Sequence, residues 1–283
     1  MADSAGGGRA AVIGGGTMGA GIAQVLLEAG CDVVVVEADD TAAERARARI
    51  AEGLGRRKDA TPEEIEARIA RLRTATGLAD ALDVDLVVEA IPELPEAKRD
   101  LLAAAEKVVP ATALLASNTS SLSITGLAGV LERPERFLGM HFFNPVPLSA
   151  LVELVLSPAT TPEAVEDARA WVARLGKESI EVRDRPGFAT SRLGVALGLE
   201  AIRMVEEGVA SAADIDKGMM LGYRHPMGPL RLTDLVGLDV RLNIAEHLAS
   251  TLGPRFEPPV LLRSKVAAGE LGKKSGRGFY DWS

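Results

Sequence analysis

Cysteine is nearly absent from this sequence: 283 residues hold one, Cys31. No intramolecular disulfide can form, which fits a reducing cytoplasm, and Cys31 heads an apolar run where a buried, inert thiol is expected. Excess positive charge is also missing. The net charge of −8 excludes a general nucleic-acid binder, though a local basic pocket for a phosphorylated ligand stays open. No segment offers the roughly 18 uninterrupted apolar residues of a membrane span. Residues 1–9 carry no apolar stretch of the signal-peptide kind, and residues 1–8 are expected to form a loose tail. Internal repeats and low-complexity tracts are lacking. A chain that is 47% hydrophobic and 25% charged is far from disorder, and its length suits two domains.

The pattern alternates strand and helix over the first two thirds. Residues 10–13 form an apolar run ending in glycine, residues 18–29 have apolar residues at helical spacing, and residues 32–37 hold four valines. Strand, helix and strand within 28 residues imply a parallel βαβ unit. Residues 41–55 and 61–73 read as two charged helices, expected to pair and project from the sheet. Thr61-Pro62-Glu63-Glu64 supplies a cap, a first-turn proline and acids at the positive end of the second. Strands are expected at 85–91, 113–116, 137–142, 151–156 and 179–182, with helices at 95–108 and 162–175. Beyond Arg185 the alternation stops. Residues 188–208, 212–221, 228–252 and 258–268 read as helices, and 193–205 is apolar on more than one side, as in a core or subunit interface. The expected fold is α/β: a Rossmann-type doubly wound sheet in residues 1–185, then a smaller all-helical domain in residues 186–283.

Gly14-Gly15-Gly16-Thr17-Met18-Gly19 fits G-x-G-x-x-G between the first strand and first helix, and Glu37 closes the next strand 23 residues after Gly14. That context marks a dinucleotide site. Gly14 makes the tight turn, Gly16 admits the pyrophosphate, and Gly19 lets the helix pack on the strand, while the helix amino end meets the phosphates. Glu37 can accept from both ribose hydroxyls and would repel a 2′-phosphate, so NAD is expected over NADP.

Of three histidines, His225 lies in an expected loop and His247 on an expected helix surface. His141 ends an apolar run before Phe142-Phe143-Asn144-Pro145, at the strand end where ligands gather in an open α/β sheet. Taken alone, such a histidine can be structural. Glu153 sits within Leu151-Val152-Glu153-Leu154-Val155, where a carboxylate needs a partner. An imidazole would serve, and the pair would set the tautomer of His141 and stabilise its imidazolium. Ser117-Asn118-Thr119-Ser120-Ser121 follows another strand. One of these residues is expected to cap the next helix, leaving others for a substrate oxygen.

Together with Asp184-Arg-Pro-Gly-Phe188, His225-Pro-Met-Gly-Pro229 and Gly272-Lys-Lys-Ser-Gly-Arg-Gly-Phe-Tyr280, these segments resemble the short-chain 3-hydroxyacyl-CoA dehydrogenase family over nearly the whole chain. The resemblance implies interconversion of a (3S)-3-hydroxyacyl-CoA, such as 3-hydroxybutyryl-CoA, and its 3-oxoacyl-CoA with NAD. It implies His141 as the acid/base, Glu153 as its partner, and Ser120 on the substrate's 3-oxygen. It implies Glu93, Lys98, Asn144 and Lys274 at cofactor-contacting positions beside Gly14, Gly16, Thr17, Met18, Gly19, Glu37 and Ser120. It further implies CoA binding by the first helical hairpin, with Arg56, Arg57 and Lys58 as phosphate partners or as a solvated basic run, and a homodimer through the helical domain. Two positions depart from the family pattern. Ser191 stands where asparagine is usual, and its shorter hydroxyl can still donate directly or through water. Glu37 stands where many relatives have aspartate, which keeps the charge.

Two rival readings keep the scaffold. One is a dehydrogenase of another 3-hydroxy acid, such as a sugar acid or 3-hydroxyadipyl-CoA. The other is a non-catalytic NAD-binding structural relative, against which the Ser120, His141 and Glu153 set stands.

Overall fold

The computed structural model describes residues 7–57, 60–81 and 83–283. Residues 1–6 of the tail expected over 1–8, and Lys58, lie outside them; Gly8 is not loose, since its carbonyl accepts from the Asp32 amide at 3.1 Å.

The first compact unit ends at Asp184. Its strands are β1 (Arg9–Ile13), β2 (Asp32–Val36), β3 (Leu72–Ala75), β4 (Leu86–Glu89), β5 (Leu114–Ser117), β6 (Phe137–Phe142), β7 (Leu151–Leu156) and β8 (Glu178–Arg183). They form one sheet in the order β3-β2-β1-β4-β5-β6-β7-β8. All neighbours are parallel except β6 and β7, which run antiparallel. β1, β2, β4 and β5 carry almost nothing but buried apolar residues, as strands covered on both faces must. The helices of this unit are α1 (Thr17–Glu28), α2 (Asp40–Gly55), α3 (Pro62–Ala70), α4 (Pro95–Val108), α5 (Ile124–Ala128) and α6 (Pro162–Arg174). From α1, Ile22, Val25 and Leu26 join Val12, Val35 and Leu138 of the sheet in one core. Strand order reverses on either side of β1, which opens a crevice at the carboxyl ends of β1 and β4.

Two expectations for residues 41–73 are corrected. The second helix stops at Ala70, and Leu72–Ala75 turns back as edge strand β3, paired with β2 from Val33↔Leu72 to Val36↔Ala75. Leu72 is buried in the core, and the strand satisfies the open edge of β2. The two charged helices do not project: Ala46, Ile50 and Leu54 of α2 are buried in the core, with Ile65 and Ile69 of α3 packed against it. The start of α3 is as read, with Thr61 and Glu64 closing a reciprocal capping box and Pro62 in the first turn.

The second compact unit, Arg185–Ser283, holds α7 (Thr190–Glu206), α8 (Ala212–Gly222), α9 (Pro229–Val236), α10 (Leu238–Leu252) and α11 (Val260–Ala267). Val195, Leu199, Ile202, Leu230, Leu238 and Leu248 make its core. The single helix expected over 228–252 is two helices, broken at Gly237, whose φ is +102°. Only glycine takes that conformation freely. The tail is fastened by Asp234, which accepts from the amides of Phe279 and Tyr280 and the indole of Trp282. Cys31 is buried, and burial pushes its thiol up. Among the described residues, no helix is long and apolar enough to cross a membrane.

Candidate active site

The glycine loop closes over the carboxyl ends of β1, β2 and β4. Gly14 has φ +93°, and its amide donates to the Val36 carbonyl at 2.9 Å. A Cβ on Gly19 would stand 1.7 Å from the Gly14 carbonyl oxygen, whereas one on Gly16 would meet nothing within 4 Å. Gly19 is therefore glycine for packing, and Gly16 presents open backbone. Glu37 Oε1 accepts from the Gly15 amide at 2.7 Å, which leaves its other oxygen for a ligand. A cavity of about 840 Å³ opens here, lined by Gly14–Met18, Glu37, Arg45, Arg49, Ile91 and others. Its volume, the bare Gly16 and the acid at the second strand end fit a dinucleotide with free ribose hydroxyls.

On the next strands, antiparallel register pairs His141 directly with Glu153. His141 Nδ1 lies 2.7 Å from Glu153 Oε2; Glu153 is fully buried and His141 nearly so. With Nδ1 donating to the carboxylate, the acceptor lone pair of a neutral imidazole is on Nε2. The Phe143 ring tilts against the imidazole, centroids 4.5 Å apart. The polar loop after β5 is tied to the same strand end, since Asn118 Oδ1 accepts from the Phe142 amide at 2.9 Å.

Glu93 shapes that loop. Its Oε1 accepts from the Thr119 hydroxyl at 2.6 Å, the Ser120 amide at 2.9 Å and the Ser121 hydroxyl at 3.3 Å. Burial would raise the Glu93 carboxyl, but the Thr119 hydroxyl, the Lys98 charge and the Ser120 amide together hold it below its ordinary value. Lys98 is buried, with its ammonium 2.6 Å from Glu89 Oε1, 3.0 Å from the Ile91 carbonyl and 3.2 Å from Glu93 Oε2. Glu89 in turn accepts from the Ser117 hydroxyl. Ser120 is half-buried, and its hydroxyl makes no hydrogen bond among the described residues. Helix α5 is capped by Ser123, whose hydroxyl accepts from Gly126 and donates to Asp184; none of Ser117–Ser121 caps it.

A second cavity, about 520 Å³, is lined by Thr17, Arg49, Arg56, Arg57, Asn144 and Pro147 among others. Arg49 borders both cavities, and its guanidinium donates to the Gly15 carbonyl at 3.0 Å. In the helical unit, Ser191 is half-buried in the first turn of α7. Lys274 pairs with Asp239, whose carboxyl burial would raise and the Lys274 hydrogen bond lowers, with a net downward result. His225 is in a loop and His247 is exposed.

Residues 9–185 match the 3-hydroxyacyl-CoA dehydrogenase NAD binding domain, and residues 187–282 match the 3-hydroxyacyl-CoA dehydrogenase C-terminal domain. The chain belongs to the 3-hydroxyacyl-CoA dehydrogenase family. It is an oxidoreductase fold of that family with an NAD-binding domain. Among its relatives, the probable 3-hydroxybutyryl-CoA dehydrogenase of Bacillus subtilis is 44% identical over 275 residues, 96% of either chain. The mitochondrial hydroxyacyl-coenzyme A dehydrogenase of Sus scrofa is 40% identical, over 96% of this chain and 90% of its own. The crystal structure of (S)-3-hydroxybutyryl-CoA dehydrogenase PaaH1 from Ralstonia eutropha superposes with a TM-score of 0.92 at 40% identity, covering 97% of this chain and 99% of its own.

Several site residues escaped the sequence reading. Gly15 is obligatory, because a Cβ there would stand 2.4 Å from Ala46 Cβ. Its place inside the glycine run was the available signal. Arg45 and Arg49 face the cofactor cavity from one side of α2, and their i, i+4 spacing could have shown this. Glu89 and Asn118 act through partners 28 and 24 residues away, and no local pattern marks them.

Proposed function

We propose that the chain interconverts a short-chain (3S)-3-hydroxyacyl-CoA and its 3-oxoacyl-CoA, with NAD(H) as cofactor. The observation that carries this reading is the buried His141–Glu153 pair at the strand end, tied through Asn118 to the serine loop. NAD supplies the hydride acceptor, and Gly14, Gly16, Thr17, Met18, Gly19 and Glu37 would hold it. His141 Nε2 takes the proton of the 3-hydroxyl as the alcohol is oxidised and returns it in the reverse direction. Glu153 steadies the imidazolium and fixes the ring, and Ser120 donates to the 3-oxygen. Glu93 and Lys98 act by holding the serine loop beside the cofactor. Asn144, Lys274 and Ser191 complete the ligand contacts that family membership suggests. Arg56 and Arg57, at the second cavity, are suited to CoA phosphates.

Assembly is part of the same proposal. Leu193 and Leu197 of α7 are 71% and 37% exposed, an apolar face suited to a homodimer through the helical unit. The single buried cysteine favours work in the cytoplasm.

The test is reduction of acetoacetyl-CoA, read at the nicotinamide band with NADH and NADPH side by side, and with free acetoacetate and a 3-oxo sugar acid as controls. Rapid NADH oxidation that needs the CoA moiety is the expected result. Turnover of the free acid with equal efficiency would remove CoA from the assignment, and NADPH preference would remove the role given to Glu37.

A further inference from the structure

Arg49 of α2 stands where the two cavities of the first unit meet. It lines the cofactor cavity with Gly14–Met18 and Glu37, and the second cavity with Arg56, Arg57 and Asn144; Thr17 borders both as well. Its guanidinium is anchored. Nη1 donates to the Gly15 carbonyl at 3.0 Å, while the amide of the same Gly15 donates to Glu37 Oε1 at 2.7 Å. One residue of the glycine loop is thus held on both sides, its carbonyl by a cation and its amide by an anion.

The charge of Arg49 has no acid against it. Among the described residues it makes no ion pair. Glu52, the next acid on its helix, is engaged by Arg56. A guanidinium carries more donors than the Gly15 carbonyl uses, and the remaining ones are free for a ligand. The same space is bordered by Gly16, where a Cβ would meet nothing within 4 Å, and by the amino end of α1, which starts at Thr17. A dinucleotide loop ordinarily offers phosphate only backbone amides and a helix end. Here a full positive charge is added beside them. The ligand group that suits this set is a diphosphate, whose oxygens and negative charge match a guanidinium fork.

We propose that Arg49 binds the diphosphate of the dinucleotide from the α2 side, with the Gly15 carbonyl as the strut that sets its guanidinium. This rests on the cofactor site given under the proposed function, and not on the acyl substrate. The phosphates of CoA offer the same chemistry in the second cavity. The strut favours the dinucleotide, because it ties Arg49 to the loop that lines the cofactor cavity. Arg45, one turn earlier, lines the cofactor cavity too and makes no hydrogen bond or ion pair among the described residues, so it serves as the comparison.

The experiment titrates wild type, Arg49→Ala, Arg49→Gln and Arg45→Ala with NADH by fluorescence, with ADP-ribose and adenosine by displacement of NADH, and with free CoA by calorimetry. In Arg49→Ala the dissociation constants for NADH and ADP-ribose are expected to rise by about tenfold, with adenosine near wild type and CoA moving less than NADH. Arg49→Gln keeps a donor for the Gly15 carbonyl and loses the charge, so it should lose affinity as Arg49→Ala does; if Arg49→Ala does not fold, Arg49→Gln decides by the same titrations. Arg45→Ala removes an equal charge from the same face of α2 and should cost less. Unchanged NADH affinity in the Arg49 variants overturns the proposal and leaves the cofactor site standing. An equal loss for adenosine also overturns it, and would make Arg49 a prop of the loop alone. So does an equal loss in Arg45→Ala, which would reduce both arginines to a general field. A larger loss for CoA than for NADH overturns it as well, and would assign Arg49 to the second cavity. A wild type that binds no NADH removes the cofactor site and this proposal with it.

Discussion

Gly16 and Gly19 are both glycines of one motif, yet they answer to different demands. A methyl at Gly19 would collide with the Gly14 carbonyl oxygen, while a methyl at Gly16 would enter open space. Gly19→Ala is therefore expected to lower the melting temperature sharply. Gly16→Ala should leave it near wild type and raise the dissociation constant for NADH, measured by fluorescence titration. A Gly16→Ala protein that binds NADH as wild type does would show that the open backbone is not the phosphate cradle. At this scale much of the site could be read from sequence. Glu153 stood out because a carboxylate amid leucine and valine must find a partner, and His141 was the histidine at a strand end.

At the scale of elements, the serine loop depends on Glu93. Its carboxyl is held below its ordinary value of 4.5, so the ionised group favours the folded state. The sign follows from linkage: a depressed carboxyl contributes stability that is fully present above the unfolded value and is lost as pH falls through the folded one. Melting temperature should therefore fall as pH drops below about 4.5, and Glu93→Gln should remove that share of the acid sensitivity. Glu93→Ala should in addition raise KM for the acyl-CoA at neutral pH, because it removes the acceptor of the Ser120 amide. An unchanged acid profile together with an unchanged KM would contradict this role for Glu93. Elements were legible where periodicity and capping agreed, as in α3 with its capping box. The misread ones share a cause. Leu72–Ala75 continues a charged helical pattern but is captured by the open edge of β2, and the apolar pattern of α9 runs on into α10 across Gly237, whose φ of +102° breaks the helix. Tertiary context decided both.

For the whole molecule, the reversal of strand order around β1 puts a cofactor cavity at the carboxyl ends of β1, β2 and β4. Antiparallel β6 and β7 then bring an acid and a base face to face at that end of the sheet. The parallel sheet was legible from alternating apolar runs and helices, and so was the change to helices near Arg185. The reversal between β6 and β7 was legible only in the length of the connection, because residues 143–150 are too few for a parallel crossover. The central claim is that His141 moves the proton while the glycine loop holds the cofactor, as two separate jobs. The direct measurement is acetoacetyl-CoA reduction by wild type and His141→Ala, with NADH affinity determined on both proteins. Loss of general acid–base catalysis predicts a kcat lower by roughly 10²–10⁴-fold with the NADH dissociation constant unchanged. Equal kcat in the two proteins would contradict the account.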